Sequence, residues 1–428
     1  MSVAIKQHVF AGCKFTGRQG ISEVLSELER QHSAREDFVI SSEKLRLRVC
    51  DGELLLISPR LKGGSLMLPL TNRAHIQLAQ RIGIPTRSRL YHWLLDGHQN
   101  PSSTRAKEWD PKSNWDIWTY MVNEYFTREK TPMLVRVMRK ADGVAYCRAL
   151  LSNKYKIMGN ADLFYAVVEE LKSVGAEIWH ARLSEDRFYG YAVAPHISGQ
   201  INLERSFDPG DGWKSRWYGK AGDVLNAAMA FGNSETGEGG IFLSYAILRR
   251  VCENYCVWND IISQAHVGKR HELDSVLSDE TLTMQNQLIF AKLKDLTKSA
   301  FDPSKFGEML GVLEAAAKDA VEDPEAAAEA LQVVYDIGED RKRAIRNMFI
   351  REQDNSRYGL INAVTQYAHA SETDPDKGFD LEKLARALAY EDMSSLYKRA
   401  EKTKRVKKTD AELALASASP VAQDEFLE

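Results

Sequence analysis

Apolar residues in this chain follow two kinds of pattern. Up to about Ser275 they alternate or cluster in short runs, as strands require, and beyond it they recur at helical spacing. Leu45-Arg-Leu-Arg-Val-Cys50 and Glu53-Leu-Leu-Leu-Ile-Ser58 flank Asp51-Gly52, a strong short-range hairpin signal. Met133–Lys140 and Val144–Leu150 around Ala141-Asp142-Gly143 predict a longer hairpin, and Ala176–Leu183 with Arg187–Ala194 a third. Asp223–Phe231 and the apolar run Ile241–Leu248 read as further strands. Between them, helices are expected over Gly20–Gln31, Arg73–Ile82, Ser88–Leu95, Trp115–Phe126 and Asn160–Val174. Thr71 or Asn72 caps the second of these and Pro85 stops it, while Gly175 ends the last. After Ser275 helical periodicity covers 279–300, 304–319, 324–337, 340–352, 357–371 and 379–400, with Asp323-Pro324 as an N-cap followed by proline.

This order predicts an α+β fold: an antiparallel, hairpin-rich sheet body with packed helices, followed by an all-helical C-terminal domain. The expected division is 1–130 (hairpin plus helices), 131–275 (central α+β domain), 276–405 (helical, acidic) and 406–428 (an Ala/Ser-rich disordered tail).

Composition narrows the class. At 428 residues with 44% hydrophobic content there is material for large cores, yet no run approaches the ~20 apolar residues of a membrane span. Met1–Phe10 lacks the apolar core of a signal peptide. Five cysteines, an odd number, argue against a disulfide framework, so a soluble cytoplasmic protein is expected. The net charge of −3 is unevenly placed: residues 1–250 hold 34 Lys+Arg against 27 Asp+Glu, and 251–428 hold 23 against 33. A basic body of this kind is where nucleic acid is sought first, although +7 over 250 residues is also an ordinary surface.

The candidate chemistry lies in three places. Asn233-Ser-Glu-Thr-Gly237, followed by Gly239-Gly240, is a candidate anion-binding loop in which Asn233, Ser234, Glu235, Thr236 and Gly237 could form a backbone nest. It lacks the lysine of a P-loop, and the plainer alternative is a turn between core strands. Arg136, Arg139, Arg148, Lys154, Tyr155 and Lys156 interleave cations with a ring, as single-strand binding requires, and Lys214, Arg216, Lys269, Arg270 and His271 form a second cationic set. The plainer alternative is rings packed on the sheet with cationic heads reaching outward. Cys252, Cys256, His266 and His271 have spacings that zinc tolerates, but the cysteines lie in an apolar stretch that suits buried thiols, so no metal or other cofactor is expected. No catalytic signature of the hydrolase, zinc-protease or dinucleotide-binding kinds is present.

An ordered set of short motifs adds a resemblance. Arg148-Ala-Leu-Leu-Ser-Asn-Lys-Tyr155 through Asn160-Ala-Asp-Leu163, Asn233-Ser-Glu-Thr-Gly237, Cys252-Glu-Asn254, His266-Val-Gly268 and Asn362-Ala-Val-Thr-Gln-Tyr367 occur in that order, after Leu68-Pro-Leu-Thr71 and Ala79–Pro85. Over roughly residues 40–400 the chain resembles the phage- and plasmid-borne "phage/plasmid-like" proteins built on domain of unknown function 932. It departs from them at Tyr255, where such proteins more often carry glycine after the Cys-Xaa-Asn triplet. The resemblance implies a mobile element in a bacterial host cell and a role in its DNA transactions, and no established activity.

Two readings follow. The first is a non-enzymatic DNA-binding protein, similar in style to the phage annealing recombinases, with single-stranded DNA as partner, no membrane contact and a homo-oligomer allowed by that analogy. The second is a metal- or nucleotide-dependent enzyme centred on Asn233–Gly240 and His266–His271, with Glu235 as ligand or base. An interaction protein acting through the acidic helical domain is the third alternative.

Overall fold

The computed structural model describes residues 13–59, 65–86, 88–96, 114–140, 142–153, 155, 159–202, 222–264, 279–352 and 354–417. The fold is α+β: antiparallel sheets in the N-terminal part and a helical C-terminal region. In chain order the elements begin with β1 (Cys13–Thr16), α1 (Gly17–Ala34), β2 (Arg35–Ser41), β3 (Arg46–Cys50), β4 (Glu53–Pro59) and β5 (Ser65–Pro69). Next come α2 (Asn72–Arg81), α3 (Arg89–Asp96), α4 (Trp115–Glu129), β6 (Pro132–Arg139), β7 (Ala145–Ser152) and α5 (Asn160–Ser173). Then follow β8 (Glu177–Leu183), β9 (Phe188–Ile201), β10 (Asp223–Asn233), β11 (Ile241–Arg249) and β12 (Asn254–Gln264). The helical region comprises α6 (Asp279–Ser299), α7 (Pro303–Ala317), α8 (Pro324–Tyr335), α9 (Glu339–Glu352), α10 (Arg357–Ala370), α11 (Pro375–Tyr390) and α12 (Met393–Ser417).

The three expected hairpins are present. Asp51 and Gly52 carry φ of 51° and 76°, the left-handed pair that a two-residue hairpin turn needs. Three differences from the expected elements are found. Strand β2 was not expected, because Arg35-Glu-Asp-Phe-Val-Ile-Ser41 does not alternate, yet it pairs along its whole length with β6. The span 379–400 is two helices: Asp374-Pro375 caps α11, and a second cap at Asp392, whose Oδ1 accepts from Ser395 N at 2.8 Å, starts α12. Helix α12 then runs to Ser417, past residue 406 where a disordered tail was expected.

Two compact units are defined by their internal contacts, and neither is a continuous segment. One comprises residues 1–192, 230–244 and 260–299; the other comprises 193–229, 245–259 and 300–428. In the first, sheets β2-β6-β7 and β3-β4-β5 share a core with α2, α3 and α4, built around Leu47, Leu56, Leu68, Trp118, Phe126 and Val135. Strand β6 is buried at six successive positions, Met133 to Met138, so it is covered on both faces. Asn123 on α4 closes the free edge of β3: its Oδ1 accepts from Leu47 N at 2.8 Å and its Nδ2 donates to Leu47 O at 3.0 Å. The third sheet has the order β1-β8-β9-β10-β11-β12, with β1 antiparallel to β8. In the second unit, helices α7 to α12 pack around Phe306, Leu313, Phe349, Leu360, Val364 and Leu388.

A candidate functional site around Glu235

Strand β7 carries one residue more than its partner. Arg136 pairs with Ala149 and Val137 with Cys147, which leaves Arg148 as the extra residue of a β-bulge. A bulge re-aims a side chain, and here it lets Arg148 as well as Arg136 reach the same loop. Thr71 pins the bulge: its hydroxyl donates to Arg148 O at 2.7 Å and accepts from Ala74 N at 3.2 Å as the cap of α2.

The loop is Asn233–Glu238, and its first four residues are buried. Glu235 points inward. Its Oε2 accepts from Arg148 Nη1 at 2.9 Å, and its Oε1 accepts from the main-chain N–H of Asn160 at 2.8 Å. That N–H opens α5, where the helix dipole favours a negative group. Arg35 Nη1 lies 3.6 Å from Oε1, and Arg136 donates from Nη1 to the Glu235 carbonyl. Each arginine is itself held by a second acid. Arg136 forms a fork with Asp37 at 3.0 and 2.9 Å, and Arg148 meets Glu185 Oε1 at 3.0 Å.

Around this centre the loop is also tied at Asn233, Ser234 and Thr236. Tyr155 donates its hydroxyl to Ser234 O at 2.8 Å, with the Arg136 guanidinium 5.9 Å from its ring centroid. Asn233 Nδ2 donates to Asn160 Oδ1 at 3.1 Å, and Gln77 Nε2 donates to Thr236 O at 2.8 Å. Thr236 Oγ1 donates to Asp186 Oδ1 at 2.9 Å, and Asp186 accepts both from Arg73 Nε at 3.0 Å and from Nη2 at 3.1 Å. Gly237 has φ +83°, and a Cβ there would meet Leu151 Cδ2 at 2.8 Å.

The electrostatics follow the geometry. Burial alone would raise the Glu235 carboxyl, but Arg148, Arg136, the Asn160 N–H and Arg35 outweigh it and hold the group below the usual carboxylate range. Burial likewise works against the Arg148 charge, and Glu185 and Glu235 more than restore it. Both oxygens of Glu235 already accept donors, so service as a base or metal ligand would first require these pairs to break.

The expected residues are therefore distributed as follows. Arg136 and Arg148 are almost fully buried and paired with carboxylates instead of facing solvent, because both lie on strands covered on both sides. Tyr155 is mostly buried, with its hydroxyl engaged by the loop. Arg139 is exposed and pairs with Glu36 at 2.7 Å. Asn233, Ser234, Glu235 and Thr236 supply an anion to the site, whereas a nest would receive one. Lys154, Lys156, Lys214, Arg216, His266, Lys269, Arg270 and His271 lie outside the described residues. Asp37, Glu185, Asp186 and Arg35 were not foreseen.

A second buried cluster lies in the other unit. Arg249 meets Asp223 at 2.9 Å and Glu352 at 3.1 Å, and Tyr358 donates to Asp223 at 3.2 Å. Nearby, Asn254 Nδ2 donates to Thr365 Oγ1, and Gln366 Nε2 lies 3.7 Å from Cys252 Sγ. The motif residues thus assemble in two groups, Arg148, Tyr155, Asn160 and Asn233–Gly237 in one unit and Cys252, Asn254, Thr365 and Gln366 in the other.

Comparison with protein-family models, with curated proteins and with solved structures finds no match. Among the described residues, no helix is long and apolar enough to cross a membrane.

Proposed function

We propose that this chain is a non-enzymatic DNA-binding protein of a phage or plasmid, acting on single strands in the cytoplasm of the host cell. The observation that carries the reading is a cationic stripe on α12. Lys398, Lys402 and Arg405 recur at i, i+4 and i+7, the spacing of one helix face, and all three are exposed. Around them, residues 398–408 hold seven Lys/Arg (398, 399, 402, 404, 405, 407 and 408) against the one carboxylate of Glu401. Arg136 and Arg148 take no part, since their charge is spent on Glu235, Asp37 and Glu185. Arg139, Lys154, Lys156, Lys214, Arg216 and Lys269–His271 remain further candidates for phosphate contact.

The test is fluorescence anisotropy with a labelled single-stranded oligonucleotide across a salt series. Three phosphate contacts give a log–log slope of about −2. The triple substitution Lys398→Glu, Lys402→Glu, Arg405→Glu should abolish binding at moderate salt with the circular dichroism unchanged. Binding that ignores salt, or survives the triple substitution, refutes the proposal.

A further inference from the structure

The sheet β3-β4-β5 turns a partly exposed apolar strip outward, with Leu55, Ile57 and Pro69 half-buried. Leu47, Leu56 and Leu68 point into the core and are fully buried. The alternate residues therefore face outward, and the register sets them in rows: Arg46, Ile57 and Met67 in one, Arg48, Leu55 and Pro69 in the next. Met67 is 62% exposed. Arg46 and Arg48 are both exposed on the outer strand, about 7 Å apart along it. Among the described residues, the Arg46 guanidinium donates to main-chain carbonyls, those of Glu43 at 2.8 Å and Leu45 at 2.7 Å, and pairs with no carboxylate. Since Asn123 occupies the edge of β3, a partner must approach the face and not the rim. The strip has no aromatic ring on which bases could stack, whereas aliphatic residues beside Arg and Met suit a protein surface.

A surface of matching chemistry exists in the helical region. A cavity of about 640 Å³ between α8 and α12 has a floor that includes Ala326, Met393 and Tyr397, and Glu322, Asp323 and Glu401 stand exposed at its margin. The negative field is felt locally: burial, then Asp323, Glu322 and Asp319, raise the Tyr397 phenol. Lys404 lines the cavity too, but it is paired with Glu329 at 2.7 Å.

We infer that the Arg46/Arg48 sheet face of one copy seats in the acidic helical cavity of a second copy, so that the protein self-associates head to tail. The two surfaces differ, so the contact is heterologous and repeats from copy to copy into a ring or a filament. Guanidiniums against carboxylates set the register, and Met67 and Ile57 against Ala326 and Tyr397 supply the apolar contact.

Sedimentation velocity of the full chain tests this over a range of concentration, at low and high salt. Wild type should assemble into multiples of 48.3 kDa, less so at high salt. Arg46→Glu/Arg48→Glu and, separately, Glu322→Lys/Glu401→Lys should each sediment as a monomer, since each sets like charges against one another. Mixed, they should assemble again, because each head then faces a tail of opposite sign. Met67→Lys should also dissociate the wild-type assembly. A monomeric wild type, variants that assemble as wild type does, or a mixture that stays monomeric each overturn the proposal.

Discussion

Replacing Glu235 with glutamine isolates what the buried carboxylate does. The amide keeps the side-chain shape and an oxygen to accept from Asn160 N–H, but it sets an NH₂ group against Arg148 Nη1 where the structure has Oε2 at 2.9 Å. Arg148 is then left with Glu185 as its carboxylate, while Arg136 keeps its fork with Asp37. Removing one partner of a buried pair costs about 3–5 kcal/mol. At the lower end that is roughly a 100-fold rise in local opening, since each 1.4 kcal/mol is tenfold. Hydrogen exchange of a peptide spanning the start of α5 reads this at the Asn160 amide. The pH dependence has a definite sign. The folded pKa lies below the unfolded value of about 4.3, so the stabilisation is complete above that value and is lost as pH falls through the folded one. The gap between wild type and Glu235→Gln should therefore begin to narrow only as pH falls below about 4.3. A second substitution, Arg148→Gln, should add less than its separate cost, by about 1–3 kcal/mol. Exchange within a few-fold of wild type, or strict additivity, would refute the reasoning.

Three further outcomes are expected. Gly237→Ala combines left-handed backbone with a 2.8 Å approach to Leu151 Cδ2 and should cost about 1–3 kcal/mol in thermal unfolding, partly restored by Leu151→Ala. Arg249→Met should loosen the C-terminal end of α9 by about 3–5 kcal/mol in hydrogen exchange, because Asp223 and Glu352 lose the guanidinium they share, with much of the loss recovered by adding Asp223→Asn and Glu352→Gln. Burial pushes the His75 imidazole down to about 4, so the folded protein keeps it neutral while the unfolded chain protonates near 6.5. Stability is then complete above about pH 6.5 and falls by on the order of 3 kcal/mol towards pH 4, a share of the slope that thermal melts of His75→Leu should lose, while His180, which burial also pushes down to about 4, keeps its own.

Much of the fold was legible because its signals are local. Asp51-Gly52, Thr71 before α2, Asp323-Pro324 and Gly175 each act within a few residues. The same logic was available at Asp302-Pro303 and Asp374-Pro375, whose aspartates also cap the helices that follow. The break before α12 was hidden because Tyr390-Glu-Asp-Met393 contains neither glycine nor proline, so apolar periodicity runs across it. The Glu235 cluster was harder to read. Its members come from residues 35–37, 136, 148, 160, 185–186 and 233–238, and no spacing rule connects carboxylates and arginines so far apart in the chain. One signal did exist. Met133-Leu-Val-Arg-Val-Met138 is almost continuously apolar, the mark of a strand covered on both faces, and an arginine in such a strand must find an acid inside the fold.

The amide of Asn123 imitates, for a single residue, the neighbour that β3 lacks among the described residues. A growing β-aggregate recruits newcomers through unmet main-chain groups at a sheet's margin, and here the central rung is already taken. Asn123→Leu would leave both groups of Leu47 bare beside an apolar strip, and the expected penalty is insoluble material during expression, out of proportion to the loss of two hydrogen bonds.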